Sequence, residues 1–167
     1  MRVRAMALGA LAGAVLLAGC EDGSDPAKDA ADVAEIEAMH DMPPADMLKP
    51  ERISYTDIEK NNLFGAGCGF APEDSTAILF LAQEKHGFVK LDKRIVTLSP
   101  DVGSTELPMK AYGKYDGKEF AAELTIDQAA DGEQSGIETT QYPGKLVLHD
   151  TKGRTVFERT GTVGCGA

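Results

Sequence analysis

The chain has 167 residues, with 17 basic and 27 acidic side chains and a formal charge of −10. That balance excludes nucleic acid as an expected partner, because phosphate binding needs clustered Lys and Arg, and it argues against an electrostatic grip on anionic lipid. The length fits one domain of ordinary size plus a tether; two domains would be crowded.

At the N-terminus, Met1-Arg2-Val3-Arg4 supplies a positive start. Ala5 to Ala18 is an uncharged run closed by small side chains, and the polar, helix-breaking Glu21-Asp22-Gly23-Ser24-Asp25-Pro26 follows closely. This is the layout of a secretory signal, and the run is short for crossing a bilayer. Its end, Leu17-Ala18-Gly19-Cys20, resembles the lipobox of bacterial lipoproteins. The resemblance implies cleavage ahead of Cys20, a diacylglyceryl group on its thiol and an acyl group on the new amino terminus. Each acyl CH₂ buried in lipid contributes about 0.8 kcal/mol, so two or three chains would make the anchor effectively permanent. Residues 1–19 are then a removed signal peptide, and losing Arg2 and Arg4 leaves the mature chain more acidic still. In bacteria with two membranes, aspartate directly after the lipidated cysteine is the usual inner-membrane retention signal. Glu21 stands there, which tips the expected address toward the outer membrane, facing the periplasm.

Residues 20–50 read as a flexible tether, acidic and punctuated by Pro26, Pro43, Pro44 and Pro50. Inside it, Asp29 to His40 has good helix formers, and Val33, Ile36 and Met39 fall near one face, so a short helix ending before Pro43-Pro44 is expected. Residues 51–167 read as the globular domain. Lipidation of Cys20 leaves Cys68 and Cys165 as an even pair in a compartment where disulfides persist, and a Cys68–Cys165 bridge is expected. Both cysteines have glycine on each side, which permits close backbone approach and positive φ, so the two segments could run side by side. No CxxC is present and no histidine sits at ligand spacing, so neither a metal nor another cofactor is expected.

Thr76 to Ala82 is a continuous apolar run of strand length, suited to burial on both faces. Phe88 to Leu91 and Arg94 to Leu98 flank Asp92-Lys93, the mark of a tight hairpin. Tyr112 to Tyr115 and Lys118 to Ile126 flank Asp116-Gly117, where glycine tolerates a left-handed turn. In the second arm, Phe120, Ala122, Leu124 and Ile126 alternate with polar residues, giving one buried face and one wet face. Lys145 to His149 and Arg154 to Thr160 flank the loop Asp150-Thr151-Lys152-Gly153. The expected fold is mainly β: an antiparallel sandwich or small barrel of about seven or eight strands, closed by the disulfide.

Several residues invite a chemical reading. His149-Asp150 could join Ser99, Ser104 or Ser135 in a hydrolase, but no serine lies in a GxSxG elbow, and Asp commonly initiates turns. His40 and His86 read as isolated loop or strand-edge histidines. The acidic stretch Asp127 to Gly136 superficially resembles a calcium loop, yet Gln128, Ala129 and Ala130 break the alternate-oxygen rhythm. Tyr112, Tyr115 and Phe120 offer an aromatic binding face, against which a chain this poor in aromatics needs them in its core. The expectation is therefore a non-enzymatic binding module, held to a membrane by acyl chains and meeting another envelope protein. A carrier of a small apolar ligand is the alternative. Small lipoproteins that inhibit lysozyme share the plan of lipobox, tether and β-barrel, a likeness of architecture without shared motifs.

Overall fold

The computed structural model describes residues 25–40, 43–127, 132–135 and 138–167. The apolar leader and Cys20 lie outside them, as do Gln128 to Asp131 and Gly136 of the acidic stretch. Met1–Pro43 and Pro44–Ala167 are separate compact units. In the first, helix α1 (Pro26–His40) begins at Pro26 rather than Asp29. Asp25 Oδ1 accepts from the Ala27 amide at 3.0 Å, and proline suits the first helical position because an N–H there has no intrahelical partner. Val33 and Ile36 stay about half exposed. Among the described residues no helix is long and apolar enough to cross a membrane.

The second unit is antiparallel throughout. Its strands are β1 (Gly67–Pro72), β2 (Phe80–Gln83), β3 (Gly87–Leu91), β4 (Arg94–Pro100), β5 (Lys114–Asp116), β6 (Phe120–Ile126), β7 (Glu133–Gln134), β8 (Thr140–Asp150) and β9 (Thr155–Gly166). Strands β1 to β6 pair in chain order, β6 reaches past β7 to β8, and β9 returns to β1. Eight strands thus close a barrel, and β7 is an addition paired with the first residues of β8. Alternate side chains point inward, and Phe70, Phe80, Leu98, Tyr115, Leu146 and Val163 are almost wholly buried. An eight-stranded barrel has an interior just wide enough for side chains to fill.

The cysteines face each other across the β1–β9 ladder and form the expected disulfide, with their Cα atoms 4.0 Å apart. None of their glycine neighbours has positive φ, and two of them, Gly67 and Gly166, serve close approach. A Cβ on Gly67 would collide with the Ala82 carbonyl, and one on Gly166 would stand 2.8 Å from the Glu138 carbonyl oxygen. The Asp92-Lys93 turn is as expected, with φ of 47° and 62° at its two residues, the left-handed pair of a tight hairpin. Asp116-Gly117 also turns the chain, but for a different reason. Gly117 is absent from the left-handed region; a Cβ there would meet the Leu98 side chain and the Phe120 carbonyl.

Several strand bounds differ from the sequence reading: β5 is Lys114–Asp116 in place of the expected Tyr112 to Tyr115, and β8 and β9 extend beyond Lys145 to His149 and Arg154 to Thr160. Three further differences bear on the packing. Only Phe80 onward of the Thr76 to Ala82 run is strand, because residues 76–79 make single contacts such as Leu79 N to Phe70 O at 2.9 Å in place of a ladder. The stretch 44–50 is packed, not free: Ala45 and Leu48 lie against the core, and the Leu48 amide donates to Val156 O at 2.9 Å. The prolines disguised this segment as linker, though two apolar side chains suffice to seat it. Finally, a helix α2 (Tyr55–Asn61) precedes the barrel. Ser54 and Asp57 form a capping box at its start, and Ile58 helps cover Ile53, Leu63 and Phe88, with Leu81 and Ile95, on the outer wall of β2 to β4. Leu81 is thereby shielded outside while Phe80 and Ala82 face in, so β2 is covered on both faces.

Candidate functional site

His149 lies near the end of β8 with Asp150 after it, where β8 turns into β9. Asp150 is committed to that turn. Its Oδ1 accepts from the Lys152 and Arg154 amides, both at 2.9 Å, and its Oδ2 takes the Arg154 guanidinium through Nε and Nη2, both at 2.7 Å. Burial alone would raise the carboxyl, but the Arg154 and Lys152 hydrogen bonds outweigh it and hold Asp150 below its usual value. Every oxygen that could orient a neighbouring histidine is thus already used. The Nε2 of His149 instead faces Glu123 Oε2 on β6 at 3.9 Å, an ion pair only when the imidazole is protonated. Its Nδ1 is buried without a hydrogen-bond partner among the described residues.

The serines are elsewhere. Ser99 pairs with Asp116, Asp116 with Ala121 and Ala121 with His149, which puts Ser99 three strand spacings from the histidine, about 14 Å. Ser104 Oγ donates to Asp101 O at 2.6 Å and accepts from the Lys114 amide at 3.1 Å, fastening the loop before β5. Ser135 follows β7, its amide donating to Thr139 O at 3.0 Å. The structure therefore brings His149 beside Asp150 but does not bring a serine to either.

His86 is exposed in the β2–β3 turn with its ring 5.9 Å from that of Phe88. His40 closes α1. Of the acidic stretch, the described parts go into pairing: Asp127 N donates to Pro143 O at 2.9 Å, and Glu133 and Gln134 form β7. Tyr115 and Phe120 fill the barrel, and Tyr112 is packed half-buried against them. The hydroxyl of Tyr115 donates to Gln83 O at 2.8 Å and accepts from the Tyr112 amide at 2.9 Å, a pairing that the sequence reading missed.

Three concave regions lie on the surface of the second unit. A concave region of about 1000 Å³ runs across β1 and β9, floored by Gly67, Gly69 and Gly164 and bordered by Glu73, Asp74 and Gln141. A smaller one of about 430 Å³ lies between residues 101–107 and β6. A third, of about 540 Å³, opens at the barrel rim, where residues 46–49 meet the β3–β4, β5–β6 and β8–β9 turns. No protein-family model, curated protein or solved structure matches this chain.

Proposed function

We propose that the chain is a lipid-anchored protein of the bacterial cell envelope whose barrel is a non-enzymatic binding module. The observation that carries this reading is the Cys68–Cys165 disulfide. Such bonds persist in oxidising compartments, and that is where a leader ending Leu17-Ala18-Gly19-Cys20 would deliver the chain. Acyl chains on Cys20 would hold it to the membrane, with Glu21 favouring the outer membrane and the periplasmic face. The packed interior supports recognition by the outer surface, and the dispersal of Ser99, Ser104, Ser135 and His149 supports binding over hydrolysis. A second reading, a carrier of a small apolar ligand, draws on the rim cavity and the apolar Leu91, Val96 and Phe120 in its lining. A role like that of the lysozyme-inhibiting lipoproteins fits the same plan of anchor and barrel.

Cys20→Ala tests the anchor. The unaltered chain should sediment with membranes and resist washing with concentrated salt, while the variant should move to the soluble fraction. A variant that stays on the membrane as firmly as the parent contradicts the proposal.

A further inference from the structure

Strand β4 has a neighbour along only part of one side. It pairs with β3 from Arg94 to Leu98, but with β5 only through Ser99 and Pro100. The β5–β6 hairpin turns back at residues 117–119, while the β3–β4 hairpin runs on to Leu91 and Arg94, leaving a notch in the rim beside Arg94 to Leu98.

The ladder shows what faces that notch. In an antiparallel pair, successive residues direct their N–H and C=O alternately toward and away from a given neighbour. Phe88, opposite Thr97, pairs on its other side with Leu81 of β2. Lys90, opposite Ile95, gives its carbonyl to the Glu51 amide at 2.8 Å, again on the side away from β4. Thr97 and Ile95 therefore direct their own amides and carbonyls into the notch, and among the described residues no backbone group takes them up. Thr97 is exposed and Ile95 half-buried, so water reaches the edge.

The rim cavity of about 540 Å³ opens at the same place, with Arg94 and Val96 of β4 in its wall and Leu91, Phe120 and Val156 as apolar floor. Its charges nearly cancel, Lys49, Arg94 and Arg154 standing against Asp46, Asp92, Glu119 and Asp150. That balance selects no ionic ligand. Two amides and two carbonyls at two-residue spacing match an extended main chain instead, and the adjoining cavity matches an apolar side chain on its inward face. We propose that the β4 edge receives an extended segment of a partner polypeptide as an added strand, one of its alternate apolar side chains entering the rim cavity. This inference rests on the binding-module reading above.

The test uses the full ¹⁵N-labelled chain and capped seven-residue peptides that alternate Thr with Val, Leu or Phe between terminal lysines. At millimolar peptide, the Ile95 and Thr97 amides should shift and exchange with solvent about tenfold more slowly. Thr97→Pro removes an N–H that no strand uses, so it should abolish the slowing while the thermal midpoint stays put. If that variant does not fold, Glu119→Trp, which fills the notch from its other wall, must have the same effect. Unprotected Ile95 and Thr97 amides with all three peptides overturn the proposal. Shifts confined to the outer wall of β1 and β9 overturn the edge assignment yet leave the binding-module reading standing. Slowing that grows with protein concentration in the absence of peptide also overturns it, in favour of pairing between copies.

Discussion

Among the described residues, the hydroxyl of Tyr115 is the polar point of an otherwise apolar core. Its ring meets Phe80 edge-on at 5.6 Å, and its hydroxyl joins the Gln83 carbonyl to the Tyr112 amide. Burial pushes the phenol up to about 12, the Tyr112 amide opposing it. The folded value lies above the unfolded 10.0, so this contribution to stability is complete below pH 10 and is lost as the pH rises toward 12. Tyr115→Phe strands the Gln83 carbonyl and the Tyr112 amide and should cost about 1–3 kcal/mol at neutral pH. The gap between parent and variant should narrow above pH 10 in urea unfolding, and a gap independent of pH contradicts the role. The alternation around Phe120, Ala122 and Leu124 was legible in the sequence because it is local. The partners of Tyr115 were not, since one of them comes from β2, 32 residues away.

Helix α2 shows what a short element leaves in a sequence. Seven residues carry too little periodicity to stand out, but Ser54 followed by Asp57 is a readable start signal. Ser54 Oγ caps the Asp57 amide at 3.3 Å, and Asp57 accepts the Ser54 amide at 2.8 Å. Ser54→Ala should cost about 1 kcal/mol, read by chemical denaturation. Asp57 also anchors the helix to β3: the Lys90 ammonium first, then the Ser54 hydroxyl and amide, hold its carboxyl far below the usual 3.8. A depressed folded value means stability that is present above pH 3.8 and drains away as the pH falls below it. Asp57→Asn should therefore flatten the acid limb of the stability profile, and an unchanged limb would exclude that linkage. The Asp92-Lys93 hairpin was legible because two adjacent residues set it. The β5–β6 turn that opens the notch was legible in Asp116-Gly117, but its level along β4 was not, because that register is set by pairing between separate segments.

At the scale of the molecule, alternation announces a sheet with one dry face but is the same for a sandwich and a barrel. What decides is pairing between distant segments: β6 passing over β7 to β8, and β9 meeting β1. The even pair Cys68 and Cys165, each flanked by glycine, was the sequence sign of that last seam, and the bond across it spans 97 residues. In the chain-entropy model, closing a loop of that size stabilises the fold by about 4–5 kcal/mol, so reduction should lower the thermal midpoint markedly. The anchor, the oxidised pair and the barrel together make up the proposed envelope binding module. One measurement reads anchor and staple at once: the intact mass of the protein extracted from membranes, with thiol labelling before and after reduction. The account predicts loss of residues 1–19, added acyl mass at Cys20, and labelling of Cys68 and Cys165 only after reduction. An unmodified Cys20 with Cys68 and Cys165 freely labelled would contradict it.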